Sequence, residues 1–167
     1  ALGKFWVCKR ATPMVAEALE CLGGLGYVEE NGMARLLREA PLNSIWEGSG
    51  NVNALDVLRA IAREPASLAA LTAEVALARG ADPRLDAAID RVGAVATLAA
   101  DPAEAVGARR VVEDLCLTLQ ASLMVRYAEA PVADAFLASR IAGERGATFG
   151  TLTPSVVRSA APALLAR

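Results

Sequence analysis

Two stretches of this sequence combine residue types that could do chemistry, Glu20-Cys-Leu-Gly-Gly-Leu-Gly-Tyr27 and Ile45-Trp-Glu-Gly-Ser-Gly-Asn51. In the first, glycines that follow a helix would let backbone N–H groups approach a phosphate. In the second, Glu47 follows Ile45 and Trp46 and is expected in an apolar setting. Desolvation there would make the charged form costlier and the carboxylate a stronger base, as removal of a weakly acidic C–H proton requires. Each stretch alone also has a plainer reading. Gly23-Gly24-x-Gly26 fits a helix C-cap, and it lacks the preceding strand and following helix of a dinucleotide fingerprint. A lone Glu in a turn is commonly a solvated side chain. Ser49 stands in Glu-Gly-Ser-Gly rather than in a Gly-x-Ser-x-Gly elbow, so it is not read as a nucleophile.

The remaining composition narrows the chemistry. Histidine is absent, which removes His-based triads, His metal ligands and the usual near-neutral base from this stretch. Acid–base work must fall to carboxylates. Cys8, Cys21 and Cys116 are widely spaced and odd in number, so neither a disulfide framework nor a metal site is expected, and a reducing, cytoplasmic setting fits. Seventeen basic and nineteen acidic side chains leave a formal net charge of −2, so no global field draws the chain to nucleic acid or anionic lipid. The most apolar run, Leu115 to Val125, is interrupted by Thr118, Gln120 and Ser122 and is shorter than the roughly 20 residues that cross a bilayer. It reads as a core helix, and no membrane partner is expected.

The elements that must position these residues are all helical. Alanine, leucine and arginine are abundant and no segment alternates cleanly in polarity, so a 3.6-residue period explains the pattern and the expected fold class is all-α, a helical bundle with a helical extension. A first helix is expected over 1–22, with Met14, Val15, Ala18, Leu19 and Leu22 on its inner stripe, Pro13 restarting or kinking it, and Gly23 and Gly24 closing it. A short helix at 30–39 stops before Pro41. A third starts near Asn53, where Asn53 and Asp56 stand at capping-box spacing, and runs to Arg63 with Leu55, Leu58 and Ile61 inward, Pro65 marking its end. Asp82-Pro83 and Asp101-Pro102 each start a further helix. The second of these would reach about Ala128 and hide Val111, Leu115, Thr118, Leu119 and Ser122. Two more are expected over 131–143 and 154–166, with Gly143, Gly146 and Gly150 in the turn between them. Because the sequence opens at Ala1 on apolar helix, upstream polypeptide is expected.

Taken together and in order, Leu-Gly-Gly-Leu-Gly-Tyr27, Arg35-Leu-Leu-Arg-Glu39 and Ile45-Trp-Glu-Gly-Ser-Gly-Asn51 resemble the C-terminal signature of the acyl-CoA dehydrogenase family. The resemblance implies a flavoprotein in which a glutamate, matched by Glu47, abstracts the α-proton of an acyl-CoA thioester while hydride leaves the β-carbon for FAD. It also implies that Gly23 and Gly24 touch the FAD of a neighbouring subunit, that Gly26 and Tyr27 complete that turn, and that Ser49 and Asn51 touch FAD too. Residues 1–63 would end the family's C-terminal helical domain, and 64–167 would form an extension similar to that of the AidB-like, alkylation-response branch. Acyl-CoA substrate, missing upstream polypeptide and a homotetramer follow as implied partners, and the piece alone would not bind FAD tightly. Two departures bear on the site. Glu20 stands where the family usually has a FAD-contacting glutamine, and Trp46 where it has tyrosine. The branch also suggests an alternative, a DNA-associated flavoprotein with little dehydrogenase activity. Residues 101–167 carry seven basic and seven acidic side chains, so charge does not support DNA binding.

Overall fold

The computed structural model describes residues 1–99 and 106–166. All regular structure among them is helical, and the only bridge pairing joins Arg145 to Leu152 in a turn. The all-α expectation therefore holds for the described residues. The chain divides into two compact units, Ala1–Arg59 with Ala103–Glu113, and Ala60–Pro102 with Asp114–Arg167.

In the first unit, α1 covers Leu2–Cys21 and carries Pro13 within one undivided helix, so of the two alternatives at Pro13, a restart or a kink, the restart does not occur. Its cost is the backbone hydrogen bond that Pro13 cannot donate to the carbonyl one turn earlier. The expected inner stripe is not buried. Met14 is 68% exposed, Ala18 and Leu22 are exposed, and Val15 and Leu19 are half-buried, whereas Phe5 near the start of the helix is buried. After α1 come a single helical turn, α2 (Gly24–Tyr27), and α3 (Met33–Glu39), separated by a 3-10 turn. The guanidinium of Arg38 grips Glu29 through two hydrogen bonds of 2.7 and 2.9 Å and holds its carboxyl below the usual carboxylate range. A 3-10 turn over Ala40–Ser44 then leads to α4 (Gly50–Arg63).

Helix α4 begins at Gly50, ahead of the expected Asn53 start. Asn53 is not its cap: the side-chain amide donates backwards to the carbonyls of Gly48 (2.5 Å) and Ser49 (3.1 Å), and Asp56 pairs with Arg59 at 2.9 Å. The inward face is Ala54, Val57, Leu58 and Ile61, while Leu55 is exposed. One residue of register accounts for the difference, because a helix face includes i+3 and i+4 neighbours.

The second unit holds α5 (Pro65–Ala76), α6 (Pro83–Ala99), most of α7 (Ala108–Tyr127), α8 (Ala130–Phe136), which runs into a π turn at Leu137–Ile141, and α9 (Pro154–Leu165). Helix α5 is not among the expected helices: Pro65 marks the end of the preceding one, yet proline at the first helical position is equally a start. Asp82 caps α6 as expected, its Oδ1 accepting the Arg84 backbone N–H at 2.8 Å. The Asp101-Pro102 start lies outside the described residues. Val111, Leu115, Thr118 and Ser122 of α7 are buried and Leu119 is half-buried. Leu85, Ile89 and Val92 of α6 join Leu115 and Val75 in a core with almost no solvent exposure. Ion pairs tie its helices, Arg84 to Asp134 at 2.6 Å and Arg126 to Glu74 at 2.6 Å. None of the described helices is long and apolar enough to cross a membrane.

Candidate functional site

Glu47 sits in the turn between the Ala40–Ser44 segment and α4, and it is the only non-glycine residue with positive φ (53°) among the described residues. A left-handed backbone at a residue with a Cβ costs roughly 1–2 kcal/mol. Gly48 follows at φ 100°, a conformation that favours glycine. Two side chains hold the peptide groups on either side of Glu47. On the N-terminal side, the Lys4 ammonium of α1 donates to the carbonyls of Asn43 (3.1 Å) and Trp46, and it lies 5.8 Å from the centre of the Trp46 ring. On the C-terminal side, Asn53 donates to the Gly48 and Ser49 carbonyls. The amides of Ile45 and Trp46 donate to the Leu42 carbonyl at 2.9 and 3.1 Å, closing the turn.

The apolar setting expected for Glu47 is not provided by these residues. Glu47 is exposed, and so are Ile45 (62%) and Trp46 (55%). Ser49 and Asn51 share the turn with Glu47 and are exposed beside it. Gly50 is buried, and a Cβ there would lie 2.4 Å from Lys9 Cε and 3.0 Å from Arg109 Nη2, so a larger residue would displace the ends of these two flexible cations.

The glycine turn stands elsewhere on α1. Gly23 takes φ 58° and ψ −142° to leave the helix, and nothing lies within 4 Å of a Cβ added at Gly23 or Gly24. Gly26 is buried, because α2 folds back so closely that a Cβ would approach the Leu19 carbonyl oxygen to 2.2 Å. Tyr27 is 76% exposed. The structure thus brings Glu47, Ser49 and Asn51 together and keeps Gly23, Gly24 and Gly26 apart from them. Lys4 and Leu19, which mark the two places, are roughly 22 Å apart along the helix axis.

Sequence reasoning missed Lys4, Lys9 and Arg109, and gave Asn53 a different task. Lys4 reaches a carbonyl 42 positions away, so no local pattern could have pointed to it. Among the described residues no group of three or more His, Cys, Asp or Glu side chains is arranged to hold a metal.

The family described as "Acyl-CoA dehydrogenase, C-terminal domain" matches residues 1–62. The AidB protein of Escherichia coli (strain K12) is 42% identical over 133 residues, covering 80% of this chain and 24% of that protein. Acyl-CoA dehydrogenase family member 11 of Caenorhabditis elegans is 54% identical over 56 residues, 34% of this chain and 9% of its own length. Mitochondrial isovaleryl-CoA dehydrogenase of Arabidopsis thaliana is 38% identical over 56 residues, 34% of this chain and 14% of its own. The chain therefore spans a quarter or less of the length of each of these relatives.

Proposed function

Through residues 1–62 the chain belongs to the acyl-CoA dehydrogenase family, and from that premise we propose that it is the C-terminal part of a flavin-dependent oxidoreductase in which Glu47 is the catalytic base. The observation that carries the reading is the Glu47 turn. A left-handed residue is held by side chains before and after it, while its carboxylate stays exposed and has no ion-pair partner among the described residues. Local backbone strain of this kind persists only where the surroundings over-determine it, and it concentrates at functional sites. A carboxylate left unpaired is available to take a proton from carbon, and Gln in its place keeps the size and hydrogen bonding but not the basicity.

The residues present fit a flavin. Gly23 and Gly24 leave backbone open to close approach, and Ser49 and Asn51 offer exposed polar groups beside the base. FAD, when bound, accepts the hydride that leaves the β-carbon of the substrate. This chain's own contribution is to hold the Glu47 carboxylate at the α-proton of an acyl-CoA, next to the exposed Ile45 and Trp46. Because the glycine turn follows the end of α1 while the Glu47 turn is held by Lys4 near its start, they would serve two different flavins, the arrangement of a homotetramer in which subunits complete each other's sites. Upstream polypeptide of the same protein would supply most of each pocket, so residues 1–63 act as the end of a helical domain and 64–167 as its extension.

The test is Glu47→Gln in the full-length protein. The flavin spectrum should be retained while bleaching of the flavin by a short or branched acyl-CoA slows by at least about 10²-fold, the scale of general-base catalysis. Equal bleaching by the Gln variant would remove Glu47 from the chemistry, and a wild type that no acyl-CoA bleaches would remove the dehydrogenase reading.

A further inference from the structure

The Lys4 ammonium is bound in an unusual way for a surface cation. It has no carboxylate partner among the described residues; it meets two backbone carbonyls, those of Asn43 and Trp46, and the Trp46 ring. Trp46 is the residue immediately before Glu47, so the lysine grips the turn at the peptide that leads into the left-handed position. Asn53 grips it from the other side, but Asn53 belongs to the helix that follows directly, whereas Lys4 ties the turn to α1. Without that tie, the cost of the left-handed backbone favours relaxation of Glu47 into ordinary φ space. Any such relaxation would swing the carboxylate.

We propose that Lys4 is a positioning residue: its ammonium, by holding the Asn43 and Trp46 carbonyls, fixes the peptide before Glu47 and so aims the unpaired carboxylate in one direction. The proposal rests on the reading of Glu47 as the base. Displacements of about 1 Å in a reacting group can cost as much as 10²-fold in rate, so a clamp one residue from the base has leverage on the proton-abstraction step and little on substrate affinity. Arginine can also donate to two carbonyls and stack on an indole, whereas methionine keeps the stem and loses every donor.

The experiment compares Lys4→Met, Lys4→Arg and Glu47→Gln in the full-length flavoprotein, with two readouts, acyl-CoA-driven flavin bleaching and hydrogen exchange of the Ile45 and Trp46 amides. Lys4→Met should slow bleaching about 10-fold or more while acyl-CoA affinity changes less than about 3-fold, and exchange at 45 and 46 should speed up. Lys4→Arg should restore both. Bleaching at the wild-type rate in Lys4→Met overturns the positioning role, whatever exchange does. If the Met variant bleaches fast while Glu47→Gln bleaches slowly, the clamp fails and the base stands. If Glu47→Gln is as fast as wild type, the base reading fails and takes the positioning role with it.

Discussion

The two compact units differ in which large apolar side chains they withdraw from solvent. In the second, Val75, Leu85, Ile89, Val92 and Leu115 all have under 2% exposure while Leu77, Tyr127, Phe149 and Leu164 stay exposed, and ion pairs from Arg84 and Arg126 tie neighbouring helices. In the first, Leu22, Leu25, Tyr27, Leu36, Leu42, Ile45, Trp46 and Val52 stand exposed, and the well-defined contacts are polar ones that shape turns. Soluble proteins rarely leave many large apolar side chains open on one region unless something covers them.

That contrast can be broken most directly in the second unit. Leu85 is fully buried, so Leu85→Ala removes apolar contact and leaves a cavity, at an expected cost of about 2–5 kcal/mol. Chemical unfolding would measure it. A loss under about 1 kcal/mol would mean that the second unit's core is no better packed than the first unit's surface.

The next effect belongs to the glycine turn, where two neighbouring positions should behave differently. At Gly26 an added methyl meets the Leu19 carbonyl oxygen at 2.2 Å, while at Gly24 it meets nothing within 4 Å. Gly26→Ala should therefore cost about 1–3 kcal/mol of stability, the usual range for overpacking. Gly24→Ala should be within roughly 0.5 kcal/mol of wild type. Measured on the full-length protein, flavin retention then separates shape from contact. If Gly24→Ala folds normally but loses flavin, the open backbone at Gly24 is where the cofactor approaches.

What the sequence made legible follows from how far each signal reaches. Helix punctuation is local, so Gly23, Pro41, Asp82-Pro83 and Pro154 placed the boundaries of α1, α3, α6 and α9 closely. Pro65 misled because the same residue both ends one helix and starts another. Asn53 misled because a cap residue and a residue that ties down a preceding turn share the same side-chain chemistry, and the backbone alone decides between them. The exposure of Met14, Leu22 and Trp46 could not be read at all, because an apolar period marks a face of a helix without saying whether these residues themselves cover it. Glu47 was singled out by its neighbours in sequence, while the left-handed backbone at Glu47 and the clamp from Lys4 come from long-range contacts that no spacing encodes.

The smallest effect expected within the chain is the sharpest test of the comparison. Leu25 is exposed, so Leu25→Ser in the 167-residue chain should change stability by less than about 0.5 kcal/mol, as surface substitutions do. In the full-length protein the same change should cost more if other polypeptide covers Leu25, because fully burying a leucine side chain is worth about 1.5–3 kcal/mol. Unfolding measurements on both forms give the difference directly, independent of any assumption about flavin or substrate. A difference of 1 kcal/mol or more would establish that the first unit's open surface is an internal surface of the complete protein. Equal, near-zero changes in both would mean that Leu25 faces solvent even there, and the exposed side chains of α2 would then need another explanation.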